Sequence, residues 1–431
     1  MDTLAARAHL DDLARYLVAA PSPFHAVAES ARRLESAGFV RLDEGEPWVD
    51  PLGRRYVVRG GALVAWDATG FDPAAGLRIV GAHTDSPTLR LRPRPDRHSV
   101  GYAQLGVEVY GSPLLNSWLD RDLGLSGRVA RRGSNGPVLV DVVFDEPLLR
   151  IPQLAIHLDR SIGTDGLRLD PQRHIVPVWS TGDAPEFRDW LAGRLGVDAS
   201  ELLSWDLMTH DLSPPAILGV DGSMFAAGRL DNLLSCHAAV AALVDGAHGD
   251  STLPMIALFD HEEVGSVTAS GAAGDVLDGT IERVLHAAGL DIEARRICMS
   301  RSVCLSADGA HATHPNWPER HEPDHTVLLD GGPVLKSNAM ARYATDAGGA
   351  ALVCELAARL DIGLQHFVSR NDMPCGSTIG PVTASRLGIT TVDVGVAQLS
   401  MHSAREVTGV LDPYRFRSLL SAFLRDDTAP R

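Results

Sequence analysis

The sequence predicts an α/β fold, a central mixed sheet flanked by helices, interrupted by a mostly β insertion. Three observations predict it. Beyond about residue 226, compact apolar runs alternate with helical patterns, the rhythm of a sheet sandwiched between helices. Between about 96 and 225 the pattern changes to short β-type runs broken by turn residues. The chain has 431 residues, more than the roughly 250–300 at which a single core stops growing.

Taken in order, the chain opens with helical stretches at 3–20 and 24–37, separated by Pro21-Ser22-Pro23, which a helix interior does not tolerate. Strand-like segments follow at 55–66 and 77–82. The insertion contains the β-type runs Val107–Tyr110 and Val138–Phe144 and one helical pattern near 186–195. After it come a helix at Asn232–Gly246, the apolar run MIALF (255–259), a helix near 275–289 and the run ICMSRSVCLSA (297–307). A helix at 346–360, a strand at 363–369 and TTVDVGVA (390–397) complete the alternation. The expected domains are therefore 1–95 with 226–431, and 96–225. No internal repeat or low-complexity tract interrupts them.

Composition narrows the function classes. A net charge of −16 argues against nucleic acid and anionic membranes as partners. No run of about 18 apolar residues is present to span a bilayer. The first residues, MDTLAARAHLDDLARYLVAA, lack the basic-then-apolar order of a signal peptide and read as an amphipathic helix. Five scattered cysteines without a CxxC are expected to be free thiols, which points to the cytoplasm. Basic charge is almost wholly arginine, and Lys336 is the only lysine.

Five short segments set metal-ligand residue types directly after apolar strands or at a helix start. They carry His83 and Asp85, Asp231, Glu262 and Glu263, Asp308, and His402. In open α/β sheets, functional groups collect where strands end at their carboxyl side, and a helix start favours a carboxylate such as Asp231. Each segment alone has an ordinary explanation: a capping Asp, solvated glutamates, a core histidine. Together they suit two divalent cations about 3.5–4 Å apart, which need a shared carboxylate such as that of Asp231. Glu262, beside a ligand on an extended segment, suits proton transfer between water and a leaving amine. Asp85 suits the acceptor that orients His83. His/carboxylate sites take Zn, Co or Mn, and the single-zinc HExxH pattern is absent because Gly265 lies four residues after His261.

In order along the chain, PSPFHAV (21–27), GAHTDSP (81–87), IPQLAIHLDR (151–160), RLDN (229–232), DHEEVGS (260–266), SADGAHATHPN (306–316), GPVLKSN (332–338), RNDMPCGSTIGP (370–381) and MHSAREV (401–407) resemble segments of the aspartyl aminopeptidases. The resemblance implies a metallopeptidase domain interrupted by a dimerisation domain, and two zinc ions per subunit. It implies one metal on His83, Asp231 and Asp308 and a second on Asp231, Glu263 and His402, with Glu262 as general base and Asp85 as companion of His83. It also implies peptide substrates with N-terminal Asp or Glu, and homo-oligomers up to a tetrahedral dodecamer. Lys336, His157 and Tyr343 become candidate substrate contacts, with His157 reaching toward a neighbouring subunit. His311 and His314 are expected to support the site or the fold, and His261 to be a bystander. Three other readings stay open: a related dinuclear hydrolase acting on C-terminal residues or N-acyl amino acids, an aminopeptidase with neutral-residue preference, and a catalytically silent shell protein.

Overall fold

The computed structural model describes residues 3–245 and 251–428. They divide into two compact units. The first runs up to Asp85, resumes over Pro215–Met401 and takes in the chain from Glu406 onward; the second comprises Ser86–Pro214 with His402–Arg405.

The first unit is built on a nine-stranded sheet. Its strands lie in the order Val40–Arg41, Arg54–Arg59, Ala62–Asp67, Leu253–Phe259, Leu77–His83, Val303–Ala307, Thr390–Gly395, Val334–Ser337 and Gln365–Val368. The run from Leu253–Phe259 to Thr390–Gly395 is parallel throughout. Ala62–Asp67 and Val334–Ser337 flank it antiparallel, so the sheet is mixed as predicted. Leu77–His83 and Leu253–Phe259 are buried at every position, because alternate residues serve two cores. Val80, Ala82, Ile256 and Leu258 pack with the helices Thr3–Ala19, Pro23–Ser36, Leu230–Val244, Ala347–Arg359 and Asp412–Leu424. Ile79, Met255, Ala257 and Phe259 pack with Val276–Ala287, Ile292–Ser300 and Ile379–Leu387 on the other face. Each such Val, Ile, Leu, Met or Phe side chain contributes roughly 1.5–3 kcal/mol on burial.

Local sequence explains most boundaries. Pro23 starts its helix in the first turn, where its missing N–H costs nothing. Asp346 caps Ala347–Arg359 by accepting the Gly349 N–H. The segment 55–66, read as one strand, is a hairpin: Gly60 adopts a left-handed φ of 61° and pairs Arg59 with Ala62 across the turn. In the run 297–307 only Val303–Ala307 is strand, because Asp291 caps a helix that carries through Ser300. The helix expected to end at Gly246 is seen as Leu230–Val244; Gly246 itself lies outside the described residues. A small sheet of Ala216–Leu218, Met224–Ala227, Glu406–Gly409, Ala397–Leu399 and Ala310–His311 completes this unit.

The second unit is a six-stranded sheet in the order Gly136–Leu149, Leu123–Gly133, Leu202–Asp211, Thr88–Ser99, Tyr102–Tyr110 and Val178–Thr181. Every pairing in it is antiparallel. Phe187 and Leu191 of the helix Phe187–Leu195 fill its core. The units divide earlier than residues 96 and 226. Thr88–Ser99 is one strand of this sheet, whereas Met224–Ala227 pairs with Glu406–Gly409 in the first unit. All five cysteines are free thiols. Among the described residues, no helix is long and apolar enough to cross a membrane.

Candidate metal centre

Three adjacent parallel strands of the first unit deliver the candidate residues to one edge of the sheet. Leu77–His83 ends in His83, Leu253–Phe259 leads into Asp260–Glu263, and Val303–Ala307 leads into Asp308. Register holds them level, with Phe259 opposite His83 and Ser306 opposite Gly81. Asp231 comes from the start of Leu230–Val244, where it and Asn232 depart from helical φ/ψ and are joined by a cis peptide bond. Its N–H donates to the Glu406 carboxylate at 3.0 Å. The Asn232 amide donates to the Ala307 carbonyl at 2.8 Å, tying that turn to the strand that precedes Asp308.

These side chains converge on His83, which is 1% exposed. Its Nε2 lies 3.3 Å from Asp231 Oδ1, 3.5 Å from Asp308 Oδ1 and 3.9 Å from Glu262 Oε2. One ligand atom each from His83, Asp231 and Glu263 falls within 4.8 Å of the others. On the far side of the ring, Nδ1 meets the backbone carbonyl of Asp85 at 3.0 Å, closer than the Asp85 carboxylate at 3.4 Å. The carboxylate is engaged elsewhere, accepting the backbone N–H groups of Glu262 and Glu263 at 3.0 and 3.1 Å. This corrects the expectation of an extended acidic segment. Glu262–Val264 is a short 3₁₀ turn entered through His261 at φ 63°, curled so that both amides reach one carboxylate.

Electrostatics favour a cation here. Burial pushes the Glu262 carboxyl up to about 8; His83 pulls it down, while Asp308, Asp231 and Asp85 add to the rise. Burial alone would lower His83, yet hydrogen bonds to Asp231, Asp308 and Asp85 outweigh it and hold the imidazole well above its ordinary range. Asp85, Asp231, Glu262, Glu263 and Asp308 thus share the His83 imidazole and the ammonium of Lys336, 3.5 Å from Asp308 Oδ2, a deficit of positive charge that divalent cations would cancel. The donor set, one imidazole with several carboxylates, is the nitrogen and oxygen mixture that zinc accepts. Binding would take the place of the proton on Nε2, since a ligating imidazole must be neutral there. The residues fit a divalent metal.

Lys336 is 1% exposed. Its Nζ donates to the carbonyls of Gly309 and Asp308 at 3.0 and 3.3 Å and lies 3.5 Å from Asp308 Oδ2. It stands 5.1 Å over the buried ring of Tyr343. His261 turns its Nδ1 toward Thr268 and Ser270. His311 is exposed with its ring 5.9 Å from that of Phe367, and His314 accepts the Asn316 N–H. His157 and His402 belong to the second unit. His157 is exposed, and His402 adopts φ 65° with Nδ1 3.1 Å from the Ser112 carbonyl. Sequence reading missed Glu406 and Asn232, which fix the Asp231 turn, and the buried Asp393. Glu406 and Asn232 lie in the resembling segments, whereas Asp393 lies in TTVDVGVA, which read only as a strand.

Comparison with known proteins identifies the fold's owner. A family model described as Aminopeptidase I zinc metalloprotease (M18) matches residues 16–424. A Streptomyces coelicolor protein named probable M18 family aminopeptidase 2 is 52% identical over 426 residues, 97% of this chain and 98% of that protein. A cryo-EM structure of the Ape4 and Nbr1 complex superimposes with TM-score 0.92 at 35% identity, covering 98% of this chain and 86% of that one. The Saccharomyces cerevisiae mApe1 dodecamer superimposes with TM-score 0.83 at 29% identity, over 97% of this chain and 96% of that one. The chain belongs to the M18 family of zinc metalloprotease aminopeptidases.

Proposed function

We propose that this aminopeptidase removes N-terminal Asp or Glu from peptides at a site for two divalent cations, zinc in the first instance. The observation that carries the reading is the convergence of His83, Asp231 and Glu263 to within 4.8 Å, with Asp308 and Glu262 facing the same imidazole. His83, Asp231 and Asp308 would hold one cation, and Asp231, Glu263 and His402 the other. When bound, such ions polarise a peptide carbonyl and bring the pKa of water toward neutrality.

The remaining work falls to the chain's own groups. Asp85 fixes the His83 tautomer through its carbonyl, leaving Nε2 directed at the carboxylates. Through its carboxylate it pins the Glu262–Glu263 turn. Glu262 takes one proton from the attacking water and delivers it to the departing amine nitrogen, so the C–N bond breaks as a C–O bond forms. Cations among the carboxylates would draw Glu262 down from its elevated pKa, so it would start the cycle as a base. Lys336 and Tyr343 border the substrate beside Asp308. His157, exposed in the second unit, is the contact to a neighbouring subunit in a homo-oligomer, in keeping with the dodecamer named for the yeast relative. The second unit would be the dimerisation domain.

One observation favours a second specificity. Lys336 is already committed to the Asp308 and Gly309 carbonyls, which suits a neutral N-terminal side chain better than an acidic one. Turnover of Asp-, Glu-, Leu- and Lys-anilides with Zn, Mn and Co separates the two preferences; Asp and Glu among the poorest substrates would discard the acidic one. N-acetylated peptides test the reaction itself. Hydrolysis that survives acetylation would point to the acyl-amino-acid or C-terminal hydrolase and sink the aminopeptidase mechanism proposed here.

A further inference from the structure

Four neighbouring strands place a row of side chains across one face of the sheet. Ser306 is in register with Asp393. Leu335 is in register with Val394, so the next positions on those antiparallel strands are Lys336 and Asp393. Lys336 is in turn opposite Phe367. Directly opposed residues of paired strands share a face, so Ser306, Asp393, Lys336 and Phe367 form a continuous line. Asp393 is 0% exposed and Lys336 1%. A buried carboxylate beside a buried ammonium, inside an otherwise apolar sheet, is costly unless its oxygens are used.

They are used on the segment Tyr343-Ala344-Thr345. The Ala344 N–H donates to Asp393 Oδ2 at 2.6 Å, and the Asp393 N–H donates to Thr345 Oγ1 at 2.9 Å. The other carboxylate oxygen accepts from the Thr378 hydroxyl. The stapled segment lays the Tyr343 ring 6.2 Å from that of Phe367 and beneath the Lys336 ammonium. Gly380 makes room for this, since a methyl there would collide with the Asp393 carboxylate. Burial raises the Asp393 carboxyl, and Lys336 is the largest influence pulling it back.

We propose that Asp393 is a positioning residue of this aminopeptidase: by holding the Ala344 N–H it sets where Tyr343 and Lys336 stand beside Asp308. This rests on the reading of Lys336 and Tyr343 as substrate contacts. Asp393 touches no substrate and acts only through that segment. Asp393→Ala removes the acceptor, while Asp393→Asn keeps one carbonyl oxygen for Ala344.

The test compares full-length zinc-loaded parent, Asp393→Ala, Asp393→Asn and Thr345→Val. Readouts are steady-state kinetics on the best aminoacyl-anilide, zinc content, and amide hydrogen exchange over residues 339–350. In Asp393→Ala, kcat/KM should fall about tenfold, mostly through KM, the size of one charge-assisted hydrogen bond lost from binding. Exchange at Ala344 should quicken by about tenfold or more while zinc content is unchanged. Asp393→Asn should recover most of the loss. Should Asp393→Ala fail to fold, Thr345→Val carries the test, with a KM increase of about threefold expected. Unaltered exchange at Ala344, or a fall in kcat alone at constant KM, overturns the proposal, because a merely structural role lowers the active fraction without moving KM. If the loaded parent cleaves no free-amine substrate, the functional reading falls instead, and the exchange rates still decide whether Asp393 holds the segment.

Discussion

At the scale of single residues, Glu262 carries the sharpest expectation. Glu262→Gln keeps the shape of the side chain and removes its capacity to accept a proton. Turnover should fall by about 10²–10⁴-fold, with zinc content measured by atomic absorption unchanged. A variant as active as the parent would remove Glu262 from the proton path. Gly395 gives a second test, of packing rather than chemistry. A methyl at this position would collide with the backbone carbonyl of Asp308, so Gly395→Ala should push that backbone aside, carry the Asp308 carboxylate with it and lower kcat/KM on the order of a hundredfold. The residue types for metal chemistry were readable in the sequence because His, Asp and Glu after apolar runs stand out against them. Glu406, Asn232 and Asp393 were not, because a carboxylate or amide that grips backbone is indistinguishable in sequence from a surface one.

At the scale of elements, caps and buried termini set local stability. Asp346→Ala removes the acceptor for the Gly349 N–H at the start of Ala347–Arg359. It should cost about 1 kcal/mol in urea unfolding. Asp412, in the first turn of Asp412–Leu424, is pushed up to about 7, by burial first and then by Asp330. A carboxyl raised in the folded state binds its proton more tightly there than when unfolded. Its contribution is therefore greatest below the unfolded value of about 4 and is lost as pH rises toward about 7. Asp412→Asn should flatten unfolding stability across that window; a slope identical to the parent's would show that Asp412 does not titrate there. Strands and helices were legible where periodicity was strong. The Gly60–Gly61 hairpin, the helical half of 297–307 and the curl at Glu262–Glu263 were not. The first two depend on turn and cap residues, and the last on the carboxylate of Asp85 in the loop after Leu77–His83.

At the scale of the whole molecule, the candidate metal centre joins distant parts of the first unit, with ligand candidates from positions 83 to 308. A cation bound only by the folded state stabilises by about 4 kcal/mol at a thousandfold excess over its dissociation constant. Chelation should therefore lower the thermal midpoint as well as abolish turnover, and added zinc should restore both. A midpoint indifferent to chelator would mean that the acidic cluster holds no ion in solution.

The sequence by itself determined the class of fold, the change of architecture near the insertion, the family and the chemical types at the site, because hydrophobic periodicity and ligand-bearing motifs are local properties. Only the tertiary structure decided that Asp85 works through both its carbonyl and its carboxylate, that Lys336 is buried against Asp308, and that Asp393 braces Tyr343. Those are relations between strands far apart in the chain, fixed by sheet register and by the need of every buried polar group for a partner.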